Sequence, residues 1–215
     1  MEQLISTLAI WAIPVLFAIT LHEAAHGYVA RHFGDPTAEQ AGRITLNPLK
    51  HIDPIGTVVL PLVLFFMTQG GMLFGWAKPV PVSFGRLRRP KADMLWVAAA
   101  GPFANLLMVI GWAVLRKAAY VLPESSYTLP AIGMAEAGIL INLILMLLNL
   151  IPIPPLDGGR IAIALLPAKL SRFYARIEPY GFFIIIFLFI SGAMGRVLGP
   201  LVNYSSYLVS VIFGL

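Results

Sequence analysis

Between residues 4 and 33 the chain is apolar for longer than the roughly 20 residues a membrane-spanning helix needs, yet His22-Glu23-Ala24-Ala25-His26 stands inside that stretch. Two imidazoles and a carboxylate in hydrocarbon cost several kcal/mol unless they are paired, coordinated or wetted. The segment must therefore turn these residues toward protein, and an ionisable cluster at such a depth points first to function.

The rest of the chain repeats the apolar pattern. Stretches at about 54–75, 92–115, 131–151 and 180–215 are each near spanning length, and the 215 residues are 59% hydrophobic and only 12% charged. Mean hydropathy is +0.84, far above that of a soluble domain. These values specify an all-α polytopic membrane protein, read as one domain over 1–215 with a core at about 4–170 and a C-terminal helical segment at about 180–215. The net charge of +5 does not imply nucleic acid, because the basic residues sit beside the apolar segments, as positive-inside bias requires. With no cysteine present, a metal would be held by His, Asp or Glu. Met1-Glu2-Gln3 lacks the positive charge of a signal peptide, and cleavage after the first segment would discard the cluster, so that segment is expected to be retained.

Gly34-Asp35-Pro36 should stop the first helix near residues 32–34, and Gly42 to Leu46 reads as the start of a short strand. Residues 55–75 have basic residues on both sides, Arg31, Arg43 and Lys50 before and Lys78, Arg86, Arg88, Arg89 and Lys91 after. A re-entrant loop kinked at Pro61 and Gly70-Gly71 keeps both flanks on one side; the alternative is a true crossing. Trp76 to Ser83 alternates apolar residues with prolines and reads as an extended edge segment. A further helix is expected from Lys91 to Arg116-Lys117, then one over 131–151, then a segment capped by Asp157 that reaches Leu166. Residues 180–215 are interrupted at Gly195-Arg196 and Gly199-Pro200 and form one long helix or two shorter ones.

His22 and His26 share a helix face one turn apart and can converge on one ion, with Glu23 beside them. A catalytic zinc takes three protein ligands, so a third must come from elsewhere. Asp157 is the strongest candidate: an acid in apolar surroundings, behind a proline-broken helix and followed by Gly158-Gly159, which permit another backbone to come close. Such a set would activate water, with Glu23 as general base. His32 falls off the His22–His26 face and is expected at the interface.

Three motifs in order resemble those of the site-2 proteases, intramembrane zinc metalloproteases: His22-Glu23-Ala24-Ala25-His26, Gly101-Pro102-Phe103-Ala104-Asn105, and Asn149 through Gly159 with Asp157 near its end. Asn47 to Thr57 looks like the compact bacterial branch, without PDZ or CBS domain, and Phe74 to Val82 like its membrane-associated β-hairpin. The resemblance implies a three-helix catalytic core with a re-entrant or β-hairpin element and added C-terminal helices. It implies one zinc ion on His22, His26 and Asp157, Glu23 as base, and substrate contacts at Asn149, Asn105 and Lys78-Pro79-Val80-Pro81-Val82. Read apart from the resemblance, His51 and Asp53 would form a gate, a second, transient metal site or a polar turn beside the membrane. The substrate would be a transmembrane protein or signal-peptide remnant, the setting the cell inner (plasma) membrane with the active site nearer the cytoplasm, and the partners the lipid bilayer and substrate, with no nucleic acid. The competing reading is a metal-ion transporter using the same ligands.

Overall fold

The structure is a computed structural model that describes residues 2–67, 75 and 78–215. Its described elements are helical: α1 Glu2–His32, α2 Thr37–Gln40, α3 Leu60–Met67, α4 Pro90–Val121, α5 Thr128–Asn149, α6 Asp157–Leu165, α7 Ala168–Ala175, α8 Glu178–Ile190 and α9 Ala193–Phe213, with short 3-10 and π turns between. Three of these are long and apolar enough to cross a membrane: Ala9–His32 within α1, α4 and α5. The bent pair α7 and α8, at 63°, is a fourth candidate. The all-α polytopic fold is thus found.

Helices α1, α4 and α5 pack on one another to form the core. Small residues line their contacts, among them Ala18, Ala98, Gly101, Ala113, Ala135 and Gly138, which lets backbones approach where lipid provides no hydrophobic drive between helices. A Cβ on Gly138 would lie 2.3 Å from the Trp112 ring, so glycine alone fits there. Large apolar side chains such as Phe17, Phe103, Leu107, Val114 and Phe187 face outward, while His22, His26, Asn105, Asn142 and Asp157 are buried. This reverses the usual arrangement of a soluble protein and suits a lipid-embedded one.

The connection from α1 to α4 begins and ends at the same end of the bundle. Arg88 N–H donates to Phe33 O at 3.0 Å, and Lys78 N–H to His51 O at 2.9 Å. His51 and Lys78 are thus neighbours across the loop. Residues 54–67 form a π turn running into α3; the proposed kink at Gly70-Gly71, and Phe74, Trp76 and Ala77 of the proposed hairpin, lie outside the described residues.

Several boundaries differ from expectation. No strand forms at Gly42 to Leu46: Arg43 N–H bonds Ala38 O instead, closing a turn after α2. α4 continues past Arg116-Lys117 to Val121; there Arg116 pairs with Glu136 at 2.7 Å and Lys117 Nζ reaches Gly214 O at 2.9 Å. The C-terminal stretch forms two helices, but they break at Gly192, in a left-handed turn of φ +72°, and α9 runs through Gly195, Gly199 and Pro200. Residues 168–175 make the separate helix α7.

Candidate metal centre

At 1.5 Å per residue His22 lies about 20 Å from Ala9 and about 15 Å from His32, close to mid-span. There the side chains of His22, His26 and Asp157 meet. The two Nε2 atoms are 3.1 Å apart, and each is 3.3 Å from Asp157 Oδ2.

The protonation of both rings follows from what holds their other nitrogens. His26 Nδ1 is 2.7 Å from Val97 O, and a backbone carbonyl only accepts, so Nδ1 carries the proton. His22 Nδ1 donates to Asn105 Oδ1 at 2.5 Å. In its neutral form each ring then turns an Nε2 lone pair toward the other and toward Asp157. Asp157 Oδ2 is buried and has no hydrogen-bond partner. Three acceptors facing one point repel unless a cation lies among them. Two imidazoles and one carboxylate, their second nitrogens already bonded to oxygen, are the donor set of a zinc site.

The local fold explains the convergence. Proline-rich residues 150–156 fold back over the first turn of α6, and a Cβ on Gly158 would lie 2.3 Å from Leu150 O, one on Gly159 2.3 Å from Pro154 N. That close return swings Asp157 to the imidazoles. On the opposite wall a Cβ on Gly101 would lie 2.5 Å from both rings.

Glu23, half-buried beside the cluster, accepts from Val80 N–H through Oε2 at 2.7 Å. This bond brings segment 78–83 to the cluster. The segment is not paired as a strand; Lys78 N–H is taken by His51 O, and Ser83 N–H donates to Asp35 Oδ2 at 2.6 Å. Lys78 and Pro79 are exposed, Val80 is buried, and Pro81 and Val82 are half-buried.

The other sequence candidates take different places. Asn105 is fully buried and faces His22. Asn149 ends α5 half-buried, its Nδ2 donating to Leu145 O at 3.0 Å. His51 is buried, with Nε2 3.0 Å from Thr45 O. Asp53 Oδ1 accepts from Ile55 and Gly56 N–H at 3.0 and 2.7 Å, as a helix cap does. His32 is exposed and packs edge-on to Phe33. Sequence reading missed Asp35, seen only as a helix stop, and Asn142, a lone amide in an apolar run; the latter's seven-residue spacing from Asn149 puts both on one helix face and was the available signal.

Comparison with known proteins identifies relatives of the chain. Residues 118–192 match the model of peptidase family M50. "Putative zinc metalloprotease YwhC" of Bacillus subtilis is 38% identical over 194 residues, covering 89% of this chain and 84% of the relative. "Putative zinc metalloprotease Rip2" of Mycolicibacterium smegmatis is 32% identical over 202 residues, covering 91% of this chain and 74% of the relative. No solved structure matches the chain. Identity of this level over most of both partners shows the family: the chain belongs to peptidase family M50, the site-2 protease family of metalloproteases.

Proposed function

We propose that the protein is an intramembrane zinc endopeptidase that cuts transmembrane segments of membrane proteins or signal-peptide remnants. The observation that carries this reading is the meeting of three buried acceptors, His22 Nε2, His26 Nε2 and the unpartnered Asp157 Oδ2, near mid-span. Those three residues would hold one zinc ion. Zinc supplies Lewis acidity there, polarising a peptide carbonyl and making water acidic enough to react near neutrality.

The remaining steps belong to side chains. Glu23 takes the proton of the attacking water and returns it to the leaving amine. Val80 N–H holds its carboxylate in the orientation this needs. A helical substrate presents its carbonyls bonded and shielded, so it must unwind to react. The segment 78–83 offers a place to do so. Successive residues of an extended chain turn their polar groups to opposite sides; with the Lys78 and Val80 N–H groups bonded to His51 O and Glu23, an extended segment here would leave Pro79 and Pro81 on its outer edge. Prolines have no N–H, so that edge offers carbonyls only, and an extended substrate would dock by donating its own N–H groups. Asn149 would contact the bound peptide.

The test is a single-span substrate reconstituted with the enzyme in proteoliposomes. Glu23→Gln should keep bound zinc while cleavage falls by about 10²- to 10⁴-fold; cleavage at the wild-type rate would remove Glu23 from the reaction.

A further inference from the structure

Beyond the imidazoles the polar core continues into α5. Asn142 is fully buried; its Nδ2 donates to Gly138 O at 2.8 Å and its Oδ1 accepts from Asn105 Nδ2 at 2.8 Å. Asn105 Oδ1 in turn accepts from His22 Nδ1 at 2.5 Å, and its Nδ2 has a longer contact with Ala18 O at 3.5 Å.

A side-chain amide has a donating end and an accepting end, and alone it can sit either way round. Besides Ala18 O at its longer 3.5 Å, the series has one close fixed member, the carbonyl of Gly138, which only accepts. It draws the amino end of Asn142 to itself and turns the carbonyl end to Asn105. Asn105 must then present its amino group to Asn142 and its carbonyl to His22. An oxygen at Nδ1 keeps the proton on that nitrogen and leaves Nε2 free as a donor of its lone pair. Reverse either amide and an N–H would face Nδ1, moving the ring proton to Nε2 and closing it to a metal. Close packing fixes the spacing, since Gly138 sits against Trp112 of α4 where no Cβ fits.

We propose that Asn142 is a positioning residue of the metal site: through Asn105 it holds His22 in the tautomer that binds a divalent cation. The inference rests on the zinc reading above, and it extends the site to a third helix without any contact between Asn142 and the ion.

The experiment measures zinc affinity of the detergent-purified full chain by competition with a chromogenic chelator, alongside the unfolding temperature of the metal-free protein. Asn142→Leu, close in volume, and Asn142→Ala should each weaken zinc binding by about 10- to 100-fold, the usual effect of removing an outer partner of a ligand. Asn142→Asp keeps an oxygen facing Asn105 in either protonation state and should restore most of the affinity. In the background of Asn105→Leu, adding Asn142→Leu should weaken binding no further, because the two act in series. A merely structural role for Asn142 would lower the unfolding temperature in all variants and leave affinity alone. Wild-type affinity in both truncations, an aspartate variant as weak as the leucine one, or losses that multiply in the double variant would each overturn the relay while leaving the zinc site standing. Failure of the wild-type chain to bind zinc would overturn the site itself, and the relay with it.

Discussion

Gly101 shows how little room the cluster has. Its missing side chain is filled by two imidazoles, and a methyl there would overlap His22 Cε1 and His26 Nε2 at 2.5 Å. Neither ring can swing aside without breaking its Nδ1 bond to Asn105 or Val97. Gly101→Ala therefore exchanges a helix-weakening residue for the best helix former and still damages the site. We expect zinc affinity to fall at least about 10-fold with helix content by circular dichroism unchanged; undiminished affinity would mean the rings are not fixed as described. At this scale the sequence was informative where spacing carries meaning. His22 and His26 fall one turn apart, and Gly158-Gly159 follow Asp157, so their convergence could be read in advance. Asn142 could not be assigned a partner, because one amide in an apolar helix fixes a face but not the residue across from it.

The element that links cluster to surroundings is the extended segment 78–83, tied at Val80 to Glu23 and at Ser83 to Asp35. Asp35 lies past the end of the α1 span, with its side chain out of solvent. Burial pushes its carboxyl up, but the Thr37 hydroxyl, the N–H groups of Ser83 and Thr37, and the nearby Arg86 charge more than reverse this and hold it below the ordinary carboxylate range. A carboxyl lowered in the folded state contributes stability that is complete above its unfolded pKa and is lost as pH falls through the folded one. The anchor of segment 78–83 should accordingly loosen on the acid side only. Asp35→Asn, which removes the charge from these bonds, should cost about 2 kcal/mol locally, or roughly 30-fold faster amide exchange at Ser83 at neutral pH. Equal exchange in variant and wild type would show that Asp35 does not hold the segment. Sequence patterns located this segment and the helices flanking it, yet erred at their ends. Arg116-Lys117 lie inside α4, whose hydrogen bonds run on to Val121, and Gly195, Gly199 and Pro200 are absorbed by α9 because Gly192 takes the turn.

Across the whole molecule, charge and topology agree on an orientation. Arg31, Arg43, Lys50, Lys78, Arg86, Arg88, Arg89 and Lys91 lie on segments that meet at one end of the bundle, and Lys91 also bonds Leu166 O at the end of α6. Positive-inside bias would make that end cytoplasmic. Because the chain has no cysteine, Glu39→Cys and Glu124→Cys each carry a single reporter. A membrane-impermeant maleimide should label Glu124→Cys from outside intact spheroplasts and Glu39→Cys only after lysis; the reverse pattern would invert the orientation. The fold at this scale was legible because membrane spans are written as long apolar runs, whereas the depth at which Asp157 rejoins α1 depends on a proline-broken return that composition does not encode. The metal site depends on that return, and zinc content of the purified full chain tests it most directly. The wild-type protein should hold about one zinc per chain and Asp157→Ala should lose most of it during dialysis, whereas equal zinc in both proteins would contradict a site built by His22, His26 and Asp157.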